Sequence, residues 1–153
     1  MTAQLTTGGY VFPIYGPSSF IDSFGAPTQA RELIYVEDQY LWSSQVAAPF
    51  AQALRERPEL RLVAVVPHYP DRNGRHSLAP SAIGRERAVR SLRAAGGDRV
   101  AIYGLENVAG AAVYVHAKVC IIDDVWASVG SDNLNRRSWT HDSELTAAVW
   151  DEG

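Results

Sequence analysis

The chain alternates compact apolar runs with stretches whose apolar residues recur every three or four positions. Leu33-Ile34-Tyr35-Val36, Leu60–Val66 and Val100–Tyr103 are short and rich in β-formers, which predicts buried strands. Between the first two, Ser43-Ser44 precedes Val46, Ala47, Phe50 and Leu54 at helical spacing, and Pro58 ends the pattern. A second helix is predicted over Ile83–Ala95, with Ala88, Val89 and Leu92 inward and Gly96-Gly97 as the stop. Pro67–Pro80 reads as a loop, and residues 1–29, broken by Gly and Pro between aromatics, as an irregular N-terminal arm.

Strand, helix, strand, helix, strand implies right-handed crossovers. The expected fold class is therefore α/β, with a mixed, mainly parallel sheet flanked by helices. Farther on, Val113–Ile122 and Val125–Val129 flank Asp123-Asp124 as a hairpin would. A helical turn over Leu134–Trp139 and a last strand over Glu144–Trp150 complete residues 30–153 as one domain. At 153 residues, 46% of them hydrophobic, the chain is long enough for one real core.

Composition narrows the function. The formal charge is −3, which disfavours a broad nucleic-acid footprint, so nucleic acid is not an expected partner. No apolar run approaches the ~20 residues of a membrane span, and no secretory signal opens the chain; the expected location is the cytoplasm, or outside the cell if the start is truncated. One cysteine, Cys120, excludes an intrachain disulfide and a Cys-based zinc cluster. Fourteen residues are basic, and Lys118 is the one lysine among them.

That lysine sits in the segment that carries chemistry. His116 and Lys118 lie two apart on a predicted strand and project from one face. The hairpin then returns Gly130-Ser131-Asp132-Asn133 beside them, with Gly130 permitting a tight or left-handed backbone. Glu144 reaches the same surface from the last strand. An imidazole can attack phosphorus or protonate a leaving alkoxide. An ammonium and a carboxamide can stabilise phosphoryl oxygens. Glu144 accepting from the far ring nitrogen would set the imidazole tautomer. No metal or cofactor is needed for this chemistry.

His116-x-Lys118-x4-Asp123-x6-Gly130-Ser131-x-Asn133 resembles the HKD motif of the phospholipase D superfamily, with six fixed positions over eighteen residues. Ile34-Tyr35-Val36-Glu37-Asp38-Gln39-Tyr40 is similar to the I-Y-I-E-N-Q-Y-F segment of lipid-cleaving members, and Asp142-Ser143-Glu144-Leu145 to their D-S-E-L. Residues 30–151 resemble the C-terminal half of a bacterial phospholipase D. The resemblance implies a phospholipase D-like half-domain. In it His116, Lys118 and Glu144 are catalytic, Lys118, Ser131 and Asn133 hold phosphate, Asp123 and Gly130 are structural, and Gln39 lines the site.

Members of that superfamily join two HKD motifs at one site. Here His68, His76 and His141 have no lysine two residues on. One copy cannot supply both halves, so the second comes from a homodimer mate or a partner chain, or the chain is a silent remnant. The close match to a second-half segment favours a half-enzyme origin. The expected activity is metal-independent hydrolysis of phospholipid to phosphatidic acid through a phosphohistidine, a step of lipid degradation, with alcohol exchange open. The alternatives are a homodimeric HKD nuclease and a catalytically silent half-domain that binds phosphate ligands.

Overall fold

A computed structural model describes residues 3–4, 10–15, 29–41, 43–69 and 78–151. Two strands, β1 (Ala3–Gln4) and β2 (Tyr10–Tyr15), come first. They are followed by β3 (Leu33–Asp38), α1 (Ser44–Glu56), β4 (Arg61–Val65), α2 (Leu78–Gly96) and β5 (Val100–Tyr103). A small ribbon, β6 (Leu105–Glu106) with β7 (Ala112–Val113), leads to β8 (Lys118–Ile122), β9 (Trp126–Gly130), α3 (Arg136–Thr140) and β10 (Leu145–Trp150). Eight strands form one sheet in the order β1-β2-β10-β9-β8-β3-β4-β5.

The mixed α/β architecture with flanking helices is as expected, but the sheet is not mainly parallel. Only β3–β4 and β4–β5 run parallel; the other five pairings are antiparallel. The connections explain this. Helices α1 and α2 are long enough for crossovers, whereas a three-residue connection joins β8 to β9 and forces reversal. Asp123 and Asp124 occupy that turn with φ of 51° and 59°, the left-handed pair a tight hairpin requires.

Alternation along the strands sets the core. Ile34 and Val36 of β3, Leu62 and Ala64 of β4, and Cys120 and Ile122 of β8 are buried on one face. That face packs under α1 through Val46, Ala47, Phe50 and Leu54, and under α2 through Ala88 and Leu92. Ser43 caps α1, its hydroxyl accepting from the Gln45 N–H at 3.2 Å. Arg99 closes the other end by donating to the carbonyls of Leu54, Arg57 and Leu60 at 2.7–2.9 Å.

Several boundaries move. Part of the supposed irregular arm is strand, since Tyr10–Tyr15 pairs along the whole of β10, with Pro13 opposite Ala147. Helix α2 begins five residues earlier than predicted. Arg85 of α2 donates to the Pro67 carbonyl at 2.6 Å. The strand predicted from Val113 begins only at Lys118, so His116 precedes the ladder rather than lying in it. Lys118 is opposite Asp38, the last residue of β3, and the ladder between β3 and β8 ends there. Residues 70–77, with His76, and Trp42 lie outside the described residues.

Candidate active site

The antiparallel half of the sheet brings distant segments to one edge. Asp38 ends β3, Lys118 starts β8, Gly130 ends β9 and Leu145 starts β10. Every group singled out in the sequence except Asp123 belongs to this edge or to the segments entering and leaving it.

Lys118 is partly buried. Its Nζ donates to Gln39 Oε1 at 3.2 Å and to the carbonyl of His116 at 3.0 Å. Gln39 in turn donates to Tyr114 Oη at 2.5 Å, and the Tyr114 ring lies nearly parallel to the exposed His116 ring, with centroids 6.4 Å apart. Lys118, Gln39, Tyr114 and His116 therefore form one connected group. Partial burial lowers the Lys118 pKa, while the Asp38 and Glu144 carboxylates act to raise it.

The second wall comes from β9 and β10. Ser131 Oγ donates to Glu144 Oε2 at 2.6 Å and accepts from the Leu145 N–H at 3.0 Å. Glu144 thus takes its hydrogen bond from Ser131, because the pairing of β9 with β10 sets those two side chains side by side. Gly130 lies directly opposite Thr146. Its φ is not left-handed; the reason for glycine is close approach, since a Cβ there would sit 2.6 Å from Thr146 Cα and 2.7 Å from the Leu145 carbonyl oxygen. Asn133 follows, its carbonyl accepting from the Asn135 N–H at 2.7 Å and its side-chain oxygen buried without a hydrogen-bond partner.

Beneath these groups lies Asp38, only 1% exposed. Its Oδ1 accepts from the Tyr40 N–H at 2.6 Å and its Oδ2 from the Leu134 N–H at 3.0 Å. One carboxylate thus ties the end of β3 to the residue after Asn133. It also helps hold a turn in which Leu41 adopts φ 57°, strained for a leucine. Burial pushes the Asp38 carboxyl up to about 7, against the pull of those backbone donors and of Lys118. Asp132 is also raised by burial, a shift that the hydrogen bond from Thr146 Oγ1 at 2.6 Å opposes. A small pocket lined by Asp38, Lys118, Cys120, Asp132, Trp139 and Thr146 lies at this point. Burial keeps the Cys120 thiol protonated by pushing its pKa up.

Asp123 stands at the opposite end of β8. Its carboxylate accepts from the N–H groups of Arg31, Glu32 and Leu33 at 2.6–2.8 Å, which fixes the entry of β3. The sequence motifs give no role to Asp38, Asp132, Thr146 or Tyr114. The signal for Asp38 was a carboxylate at the apolar end of a buried strand, which demands a set of donors.

Comparison with known proteins bears on the same residues. Residues 28–153 match the family model described as cardiolipin synthase, PLD-like domain. Cardiolipin synthase 2 of Staphylococcus epidermidis is 45% identical over 40 residues, 26% of this chain and 8% of that protein's length. The phospholipase D family member Nuc from Salmonella typhimurium superposes with a TM-score of 0.68 at 18% identity, covering 94% of this chain and 84% of that one. Phosphatidylserine synthase of Haemophilus influenzae gives 0.69 at 15% identity, covering 98% of this chain and 36% of that one. At such identities the structural likeness speaks for the fold.

Proposed function

Because the chain belongs to the phospholipase D-like domain family of cardiolipin synthase, we propose that it is one half of a metal-independent phosphodiesterase acting on phospholipid headgroups. The observation that carries this reading is the connected group at the sheet edge. Lys118 is held by Gln39 and the His116 carbonyl, with the Ser131–Glu144 pair on the neighbouring strands.

The His116 imidazole attacks phosphorus. A P–N bond forms, the P–O bond to the headgroup alcohol breaks, and a phosphatidyl-histidine results. The departing alkoxide takes a proton from the histidine of the second HKD half, supplied by a second copy or a partner chain. Water or an alcohol then returns a proton to that second histidine as its oxygen attacks phosphorus; the P–N bond breaks, giving phosphatidic acid or an exchanged lipid and freeing His116. Lys118 and Asn133 stabilise the charge on the non-bridging oxygens. Ser131 lines the site, and Glu144, anchored by Ser131, supports the positive charge that develops beside it.

The test is headgroup release from phosphatidylglycerol and phosphatidylcholine by the purified chain, with glycerol added to detect transfer. The His116→Ala variant should fall by at least ~10²-fold. Equal residual activity in the two proteins would remove the reading. Cleavage of DNA in EDTA, lost on Lys118→Ala and unaccompanied by lipid turnover, would establish the nuclease alternative instead. A monomer without turnover on either substrate would leave the silent half-domain.

A further inference from the structure

The chain passes from β5 to β8 by way of the β6–β7 ribbon, and residues 105–114 are all exposed. Leu105 is paired with Val113 and Glu106 with Ala112, so both faces of the ribbon meet solvent. Val108 at the tip is fully exposed, at 110%. The tip is nonetheless well defined. Asn107 Oδ1 accepts from the N–H groups of Ala109 and Ala111 at 2.9 and 3.0 Å, and the Asn107 N–H donates to the Ala111 carbonyl at 2.8 Å. Gly110 supplies the left-handed residue, φ 77°, that closes the turn.

Between Leu105 and Tyr114 the one charge is Glu106, which faces His68 Nε2 at 3.4 Å near the root. The rest is Leu, Val, Ala, Gly, Tyr and a single Asn whose side chain is spent on the turn. The root lies at the site edge, where Tyr114 Oη meets Gln39 and its ring meets His116.

We propose that the β6–β7 ribbon is an interfacial finger that enters a phospholipid surface and sets the site edge against it. The inference rests on the lipid reading above and adds how that substrate is reached. A flat partner surface covers one face of a ribbon; a tip that is exposed and uncharged all round, as residues 107–112 are, is covered by a medium it penetrates. From Leu105 to Val108, at ~3.3 Å per residue, the reach is about 10 Å, the depth to which interfacial segments enter the headgroup and acyl boundary. Tyr103 and Tyr114, 56% and 46% exposed, flank the root, where an aromatic ring with a polar tip suits the headgroup layer.

Sedimentation of the full chain with vesicles of phosphatidylcholine and phosphatidylglycerol tests this. Val108→Asp should lower partition on the order of tenfold or more. Val129→Asp, at another exposed valine away from the ribbon, should leave it unchanged, and Val108→Leu should keep or raise it. Binding that persists in high salt agrees with an apolar finger. Undiminished partition of Val108→Asp, no partition of the wild-type chain, or partition abolished by salt would each overturn the inference. So would a fall in molecular mass on Val108→Asp with partition unchanged, which would make the ribbon a contact between copies. Headgroup release from a water-soluble short-chain phospholipid keeps the two questions apart. Val108→Asp should leave it intact, and its absence in the wild type removes the catalytic reading while the sedimentation result still decides the finger.

Discussion

Replacing Asp38 with asparagine separates the two things this carboxylate does. The side chain is buried, and its pKa rises from 3.8 to about 7 on folding. The folded state therefore holds the proton more tightly than the unfolded chain between those values. Stability from this residue is fully present below about pH 4 and is lost as pH rises through about 7. Some three pH units at ~1.4 kcal/mol each amount to about 4 kcal/mol across the window, more than half of it between about pH 5 and pH 8. Asparagine does not titrate, so the variant should lack that decline.

Asparagine also keeps only one of the two oxygens. Oδ1 serves Tyr40 and Oδ2 serves Leu134, so an amide NH2 must face one of those N–H groups. That loss should cost ~1–3 kcal/mol in acid, and the wild type should be the more stable protein there. Toward alkaline pH the difference should shrink or reverse. Urea unfolding followed by tryptophan fluorescence at about pH 5 and about pH 8 measures both effects. Parallel stability profiles for the two proteins would refute the argument, because they would mean that Asp38 ionises alike in the folded and unfolded chain.

Lys118→Ala should lower the rate of any phosphodiester turnover by ~10²–10³-fold, read from initial rates with folding checked by circular dichroism. Because burial lowers the Lys118 pKa, the alkaline limb of the wild-type rate profile should begin below pH 10.5, the ordinary lysine value. Gly130→Ala should cost ~1–3 kcal/mol of stability, since the new methyl meets the backbone of β10; an unchanged urea midpoint would count against that packing. Asp123→Ala should cost ~1–3 kcal/mol by releasing three N–H groups at the entry of β3, with turnover per folded molecule nearly unchanged because the residue stands at the far end of β8.

What the sequence disclosed follows from how local each signal is. The β3-α1-β4-α2-β5 order was legible because apolar period and caps lie within each segment. The Asp123-Asp124 turn was legible because two left-handed residues in succession have few alternatives. The mainly parallel sheet was a wrong extrapolation from the crossover half to the meander half, where connection length decides direction. Strand β2 stayed hidden because Pro13 and the flanking glycines read as breakers, and only the pairing with β10 overrules them.

The site divides along the same line. His116, Lys118, Gly130, Ser131 and Asn133 were found from spacing, since one hairpin carries them all. The support beneath them is nonlocal. Asp38 reaches Leu134, 96 residues away, and Gln39 reaches Lys118, 79 residues away. A carboxylate at a strand end looks the same in sequence whether it caps a turn or underlies a site. Here it does both, since the oxygen that holds the Leu41 turn belongs to the same group that fixes the residue after Asn133. A change at Asp38 must then reach the turn and the phosphate loop together, whereas a change at Ser131 should reach Glu144 and leave the turn untouched.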